Sequence, residues 1–231
     1  MREIVLDTET TGMDPDEGHK IIEIGCVELL NHIPTGKTWQ SYINPEREVE
    51  SGAAAVHGIK TEFLKDKPTF GEIVGSLMDF IAGGKLVIHN AEFDVKFLNV
   101  ELKPYGFPPI KLNDVTDTLL LARKRYPGQP ANLDALCRRF GVDLSDRSLH
   151  GALLDSQLLA QVYLELMGGR QHGLGLSGEE INAGKKQDLM ASTKQERLYR
   201  EPRSFGVLPE EKVAHQKMLD NLKDHLWENS V

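Results

Sequence analysis

Short apolar runs interrupted by polar residues dominate the first part of the chain. Residues 2–7 and residues 21–31 (IIEIGCVELLN) both predict buried strands, and residues 38–44 (TWQSYIN) predict a third strand. The tripeptide TGK at residues 35–37 predicts the hairpin turn that precedes this third strand. We therefore expect a meander of three strands ahead of the first clear helix.

Helical spacing of apolar residues dominates the middle of the chain. Residues 69–84 predict a helix that begins near a proline and ends at two glycines, and residues 85–90 (KLVIHN) predict a short strand. Further helices are predicted over residues 91–106, 115–128, 132–142 and 151–169. This order of elements, with three strands first and then a strand between helices, predicts an α/β domain with a mixed sheet. We expect the domain to end near residue 168.

The composition changes after this domain. Residues 177–203 are polar and charged, which predicts a flexible linker within residues 169–207. Residues 208–227 recover helical spacing, but a lone amphipathic helix cannot bury its apolar face by itself. Such a helix either folds back on the domain or docks on a partner protein. Because a linker separates it from the domain, we expect that it docks on a partner.

Whole-chain composition narrows the class of protein. Apolar residues make up 40% and charged residues 27% of the 231 residues, as in ordinary globular proteins. No run of about 18 apolar residues occurs, and the apolar run in MREIVLD is too short for a signal peptide. We therefore expect no membrane span and a cytoplasmic protein. Cys26 and Cys137 stand among apolar neighbours, which predicts two buried, reduced thiols.

Two carboxylates at the end of the first strand are the first candidates for chemistry. Asp7 and Glu9 would share one face of a strand, where they repel each other unless a cation or a proton lies between them. A solvated strand end also explains the pair, whereas a calcium loop lacks its closing Glu here. The net charge of −8 disfavours non-specific coating of nucleic acid, but cations can link an acidic enzyme to phosphates.

The segments HNAEFD and LHGALLD carry the other candidates. Asp94 falls in the first turn of a predicted helix, a position that capping by Asn90 and the helix dipole also explain. His150 and Asp155 are about 140° apart around a helix, so His150 must precede the helix if both serve one site. Asp155 is also the one charge in an apolar helical stretch, where an unpaired carboxylate is costly.

Four carboxylates and one histidine thus form an oxygen-rich set: Asp7, Glu9, Asp94, Asp155 and His150. Such a set matches the hard ligands that two magnesium ions need. The three blocks DTETTG, HNAEFD and HGALLD, in this order, resemble the DEDD superfamily of 3′→5′ exonucleases in its His-containing branch. Within it, AVHGI, VTDTLLLARKRYPG and NLDALCRRFGV make the chain most similar to proofreading subunits of bacterial replicative DNA polymerases.

The resemblance covers residues 1 to about 168 and implies an RNase-H-like fold. It also implies hydrolytic release of nucleoside monophosphates from a DNA 3′ end. Two Mg²⁺ or Mn²⁺ ions would be ligated directly by Asp7, Glu9 and Asp155, with Asp94 reaching the second ion through water. His150 would take the proton from the attacking water, a role that histidine suits at neutral pH.

Substrate contacts follow from the same resemblance. They are assigned to Asp7, Thr8, Glu9, Thr10, His57, Asn90, Phe93 and Asp155. His57, in AVHGI, would contact the terminal nucleotide, although a loop cap beside Gly58 also explains it. Where the family usually carries a substrate-contacting Glu, this chain has Gly52, which offers no side chain to the terminal hydroxyl.

Two protein partners are implied besides the DNA 3′ end. Residues 171–176 (QHGLGL) resemble a sliding-clamp-binding peptide, although a helix-terminating tail explains them too. Residues 208–231 resemble the segment that binds the catalytic (alpha) subunit of the polymerase. A free-standing nuclease that trims RNA 3′ ends would use the same catalytic residues without needing this tail. A non-catalytic scaffold would have no reason to retain the costly Asp155.

Overall fold

The computed structural model describes residues 1–145, 150–169 and 208–221. The chain divides into two compact units, residues 1–176 and residues 177–231. Across the described ranges, no helix combines the length and the apolar character that crossing a bilayer requires.

A five-stranded sheet lies at the centre of the first unit. Its strands are β1 Arg2–Thr10, β2 Ile21–Leu30, β3 Ile33–Tyr42, β4 Lys85–Ile88 and β5 Thr116–Asp117. In the described residues their order is β3-β2-β1-β4-β5. β2 pairs antiparallel with β1 and β3, whereas β4 pairs parallel with β1 and β5. The predicted mixed sheet is therefore confirmed.

Helices cover both faces of this sheet. The described helices of this unit are α1 Ser51–His57, α2 Thr61–Leu64, α3 Phe70–Ile81, α4 Ala91–Leu102, α5 Thr118–Arg125, α6 Leu133–Phe140 and α7 Ala152–Leu166. Ile4 and Leu6 of β1 belong to an apolar cluster with α3 and α4, whereas Val5 belongs to a cluster with α5, α6 and α7. Because side chains alternate along a strand, Asp7 and Glu9 follow Val5 onto the α7 side.

The helices predicted over residues 69–84, 91–106, 132–142 and 151–169 are confirmed as α3, α4, α6 and α7, each a few residues shorter. The predicted strand at residues 85–90 is confirmed as β4. Cys26 and Cys137 are buried free thiols, as their apolar neighbours predicted.

The hairpin between β2 and β3 differs from the prediction. The turn lies at Asn31 and His32, with left-handed φ values of 50° and 69°, and not at TGK. Two such residues match the right-handed twist of the flanking strands. The buried Glu3 carboxylate accepts the His32 N–H at 3.0 Å, a contact across 29 residues that local sequence does not reveal. Gly36, with φ 87°, lies inside β3, close to a register shift between Val27 and Leu29.

The helix predicted over residues 115–128 is wrong at its start. Thr116 and Asp117 form β5, because they pair with Val87 and Ile88 of β4. Two residues are too few for alternation to be visible in sequence, so only the tertiary pairing defines this strand. The short helices α1 and α2 were also missed, and they lie ahead of the helix that was predicted to come first.

One helix is described in the second unit, α8 Pro209–Leu219, within the helix predicted over residues 208–227. Leu208 before it and Val213 and Met218 along it are exposed. The predicted linker and clamp peptide, from residue 170 to residue 207, lie outside the described residues, as do residues 222–231.

Candidate active site

The end of β1 places two carboxylates beside β2. Asp7 lies opposite Gly25 and Glu9 lies opposite Glu23 in the antiparallel register. Gly25 is required there, because a Cβ atom would lie 2.3 Å from the backbone of Ala152 and Leu153. The absence of that side chain allows the first turn of α7 to lie directly against β2.

The first turn of α7 brings Asp155 to the same place. Asp155 is buried, and its Oδ2 lies 3.0 Å from Nδ1 of His150. His150 precedes the helix, as predicted, and its backbone N–H donates to the Val56 carbonyl at 3.3 Å. The side chain of His150 is 45% exposed, so solvent reaches the imidazole while Asp155 remains inside.

Three of the predicted residues form a compact group in the described part of the chain. Glu9, His150 and Asp155 each offer one potential ligand atom, and these atoms all lie within 4.8 Å of one another. They come from β1, from the segment before α7 and from α7. The fold therefore joins residues that are about 140 positions apart in the sequence.

Asp94 enters the site from α4 on the other side of β1. Its Oδ1 accepts a hydrogen bond from the Thr8 hydroxyl at 2.7 Å. Burial raises the pKa of Asp94 to about 7, although the Thr8 hydrogen bond lowers it. Asn90 does not cap this helix as proposed above. It has a left-handed φ of 65°, and within the described residues its side chain makes no capping hydrogen bond.

The electrostatics of Asp7 test whether this cluster fits a metal ion. Burial raises the pKa of Asp7 well above its ordinary value, and the negative charges of Asp94, Glu9 and Asp155 raise it further. Ionised carboxylates crowded in this way are stabilised by a cation between them. Hard oxygen donors are also the ligands that Mg²⁺ and Mn²⁺ take. The residues present therefore fit divalent metal ions.

A cleft of about 280 Å³ adjoins the carboxylates. It is lined by Thr8, Glu9, Thr10, Gly12, Met13, Glu50, Gly52, Ala53, Val56, His57 and Phe93. Five of the eight residues predicted to contact substrate are thus in its lining, while Asp7, Asn90 and Asp155 are not. His57 is buried, and its Nδ1 accepts the Ile59 N–H at 3.0 Å, so it both caps this turn and faces the cleft.

Comparison with known proteins identifies the family. The sequence model of a family described as Exonuclease matches residues 4–163. The chain belongs to this exonuclease family. The resemblance recognised in the three sequence blocks is therefore confirmed, and the chain is a 3′→5′ exonuclease of a family that uses divalent metal ions.

Relatives of this exonuclease match almost its whole length. DNA polymerase III subunit epsilon of Rickettsia felis is 49% identical over 227 residues, covering 96% of this chain and 97% of that protein. DNA polymerase III subunit epsilon of Escherichia coli K12 is 46% identical over 229 residues, covering 95% of this chain and 92% of that protein.

Solved exonuclease structures share the fold. The nuclease domain of 3′hExo, a DEDDh family member bound to rAMP, has a TM-score of 0.60 at 21% identity, covering 72% of this chain and 91% of that one. Exonuclease X in complex with 5′ overhanging duplex DNA has a TM-score of 0.55 at 24% identity, covering 71% of this chain and 90% of that one. The RNase-H-like fold is therefore confirmed.

Sequence reasoning missed several residues of this exonuclease site. Val56 holds His150 through its backbone carbonyl, and Met13 and Glu50 line the cleft. No local pattern distinguishes these three from ordinary loop residues. Glu23 is different, because it is a buried acid inside the apolar run IIEIG, and its charge adds to the rise in the pKa of Asp7. A charge inside a buried strand was the signal that could have found it.

Proposed function

We propose that this site removes mispaired nucleotides from DNA 3′ ends as monophosphates, and that the protein is the proofreading subunit of a replicative DNA polymerase. The observation that carries the proposal is the meeting of Glu9, His150 and Asp155 within 4.8 Å, beside a cleft of about 280 Å³. That volume is close to the lower limit of about 300 Å³ for ligand pockets, which suits a single terminal nucleotide.

Two divalent ions, Mg²⁺ or Mn²⁺, would be held by Asp7, Glu9 and Asp155, with Asp94 contributing to the second. When bound, such ions stabilise the negative charge that develops on the attacking and leaving oxygens of phosphodiester hydrolysis. Thr8 supports this arrangement, because its hydroxyl at 2.7 Å orients the Asp94 carboxylate. The four carboxylates therefore bind and orient, while the proton is moved by another residue.

His150 is the proposed general base. Its Nδ1 faces Asp155 at 3.0 Å, so an ionised Asp155 favours the tautomer with the proton on Nδ1 and leaves Nε2 to accept a proton. Its partial exposure lets the attacking water reach the ring. Asp155 would thus both bind metal and orient the base.

The lining of the cleft supports a preference for frayed 3′ ends. Phe93, Val56 and Met13 present apolar surface to a base or sugar, and His57 lies beside them. A paired terminal nucleotide must leave its template strand before it can enter. Mispaired ends separate at lower cost, so the site selects them without reading the base sequence.

The second unit supports a polymerase partner. The relatives are named as subunits of DNA polymerase III, and exposed apolar residues at 208, 213 and 218 lie on or just before α8. We propose that residues 208–231 bind the catalytic (alpha) subunit. The clamp-binding role of residues 171–176 stays a prediction. The cytoplasmic location also stays a prediction, and a role in DNA replication is consistent with it.

One assay tests the reaction. With Mg²⁺ or Mn²⁺, the protein should shorten single-stranded DNA and mismatched 3′ ends faster than matched ends, with RNA 3′ ends cut slowest. Preference for RNA would instead identify an RNA-trimming nuclease. If the protein cleaves none of these substrates with Mg²⁺ and none with Mn²⁺, the proposal is refuted.

A truncation tests the division of labour. Removal of residues 177–231 should leave the nuclease rate unchanged and abolish co-purification with the polymerase catalytic subunit. The first unit contains all five strands of the described sheet and all the predicted site residues, which is the reason for this expectation. Loss of nuclease activity in the truncated chain would contradict it.

A further inference from the structure

The helices α4 and α7 carry their site aspartates at equivalent positions. Asp94 is the fourth residue of α4, and Asp155 is the fourth residue of α7. A side chain at this position moves whenever the first turn of its helix moves. The placement of both carboxylates therefore depends on how each helix N-terminus is attached to the sheet.

Neither helix is capped by the residue that precedes it. Asn90 has a left-handed backbone and, in the part of the chain that the structure describes, makes no capping bond through its side chain. Gly151, before α7, has no side chain at all. Helix N-termini expose N–H groups that need acceptors, so the caps must come from elsewhere.

A distant acid supplies the acceptor for α7. Oε2 of Glu23 accepts the Ala152 N–H at 3.2 Å. Oε1 of the same carboxylate accepts from Nε2 of Gln40 on β3 at 2.7 Å, which holds the side chain in place. Glu23 is buried and lies opposite Glu9 in the β1–β2 register. One carboxylate thus ties the first turn of α7 to the strand that faces the site.

Asp117 does the same for α4. At the end of β5, its two carboxylate oxygens accept the N–H groups of Asn90 at 3.3 Å and Ala91 at 3.2 Å. Its Oδ1 also accepts from Leu119 at 2.8 Å and Leu120 at 3.3 Å, the first turn of α5. A single carboxylate therefore caps two helices and joins them to one sheet edge.

We propose that Glu23 and Asp117 are positioning residues of this exonuclease. Each holds the N-terminal turn of a helix, and together they set the positions of Asp155 and Asp94 relative to Asp7 and Glu9. This inference rests on the metal centre proposed above, whose ligands these two residues would orient without being ligands themselves. Residues that orient metal ligands typically affect metal affinity about 10- to 100-fold.

The test measures Mn²⁺ binding to the full chain by calorimetry, together with the melting temperature in EDTA. Glu23→Ala and Asp117→Ala should each weaken Mn²⁺ binding about tenfold or more. The matched control is Asn132→Ala, which removes the cap of α6, where Asn132 Oδ1 accepts the Ala135 N–H at 2.8 Å. It should lower the melting temperature by about 2–4 °C and leave Mn²⁺ binding unchanged.

Two conservative variants separate reach from charge and keep the test informative if an alanine variant fails to fold. Glu23→Gln keeps one acceptor oxygen for the Ala152 N–H and removes the charge, while its NH2 group can donate to the Gln40 side-chain oxygen once the Gln40 amide rotates. This variant should bind Mn²⁺ within about threefold of the wild type. Glu23→Asp keeps the charge but shortens the side chain, and should lose about tenfold. If Glu23 acts by positioning α7, Mn²⁺ affinity should therefore be higher in Glu23→Gln than in Glu23→Asp.

Three results would overturn the inference. Alanine variants with lower melting temperatures but wild-type Mn²⁺ binding would show that the caps only stabilise the fold. Weaker binding by Glu23→Gln than by Glu23→Asp would show that charge, and not position, is what matters. A wild-type chain that binds no Mn²⁺ would refute the proposed metal centre itself, which distinguishes that failure from the other two.

Discussion

The two ends of β1 carry acids in opposite surroundings. At the end distant from the site, Glu3 accepts hydrogen bonds from the Tyr163 hydroxyl at 2.7 Å and the His32 N–H at 3.0 Å. Next to it, the hydrogen bond from Arg2 at 2.6 Å holds the pKa of Glu28 below its usual range. Both acids are therefore hydrogen-bonded to donor groups of the protein itself.

At the site end, the acids face one another. Burial and neighbouring carboxylates raise the pKa of Asp7, and burial raises that of Asp94 to about 7. Acids that are matched by internal donors stabilise the fold, whereas acids crowded together favour a ligand that brings positive charge. The acids at the two ends of β1 thus differ in whether hydrogen-bond donors or other carboxylates surround them, which is the difference expected between structural acids and metal ligands.

The largest expected effect is that of Asp7→Asn, which should separate activity from stability. Loss of one metal ligand should lower kcat/KM on single-stranded DNA by more than about a hundredfold. In EDTA at pH 8 the melting temperature should not fall, because the raised pKa means that the ionised Asp7 destabilises the folded state. Nuclease rates and thermal melts measure the two quantities.

The control for this variant is Glu28→Gln at the other end of the sheet. It should leave kcat/KM within about twofold and lower the melting temperature, since it weakens the contact with Arg2. Wild-type cleavage by Asp7→Asn would contradict the role of Asp7 as a ligand.

The pH dependence of stability should follow Asp94 in the metal-free protein. Folding raises its pKa from about 3.9 to about 7, so between these values the folded state binds more protons than the unfolded state. The free energy of unfolding should therefore fall by up to about 4 kcal/mol as the pH rises from about 4 to about 7. Urea melts in EDTA measure this slope.

The slope should become shallower in Asp94→Asn, where Asp7, whose pKa folding also raises, still contributes. Mn²⁺ added to the wild type at pH 8 should restore the lost stability. An identical slope in the variant would assign the effect to other groups.

Glu3→Gln should have the reverse effect to Asp7→Asn. An amide cannot accept from both Tyr163 and His32 as the carboxylate does, so one buried donor loses its partner. The free energy of unfolding should fall by about 1–3 kcal/mol, measured by urea melts, while kcat/KM of the folded enzyme stays at the wild-type value. A large loss of activity at 20 °C, with the chain still folded, would contradict the distinction between the acids at the two ends of β1.

The smallest effect is expected from an added acid at the site end. A Cβ atom at Gly52 meets open space at the edge of the cleft, so Gly52→Glu can be accommodated. One new hydrogen bond to the terminal hydroxyl should raise kcat/KM by about fivefold. Gly52→Leu adds similar bulk without an acceptor, and an equal gain with Leu would point to packing instead.

Much of the fold could be predicted from the pattern of apolar residues. The strands β1, β2 and β4 and the helices α3, α4, α6 and α7 carry their own periodicity and their own end signals. β5 and the hairpin turn do not. β5 exists because two residues pair with β4, and the turn at His32 is held by Glu3 from another strand.

The site divides in the same way. Asp7, Glu9, Asp94, His150 and Asp155 could be proposed from the sequence because three spaced blocks carry them. Glu23, Asp117 and Val56 act through hydrogen bonds to backbone groups far away in the sequence, and such contacts leave little local pattern. Of these three residues, only Glu23 carries a local signal, as an acid within a buried strand, and that signal was missed.

Residue types and short spacings along the chain were enough to propose the acids, most of the elements that carry them and the family of nuclease. These depend on residue type and short-range spacing, which the chain shows directly. The tertiary structure alone decided that Glu9, His150 and Asp155 meet within 4.8 Å, and which distant carboxylates hold their helices. Those outcomes depend on the register of strand pairing and on which carboxylates reach the helix N-termini. A shift of one residue in the pairing of a strand would move every side chain of that strand to the other face of the sheet.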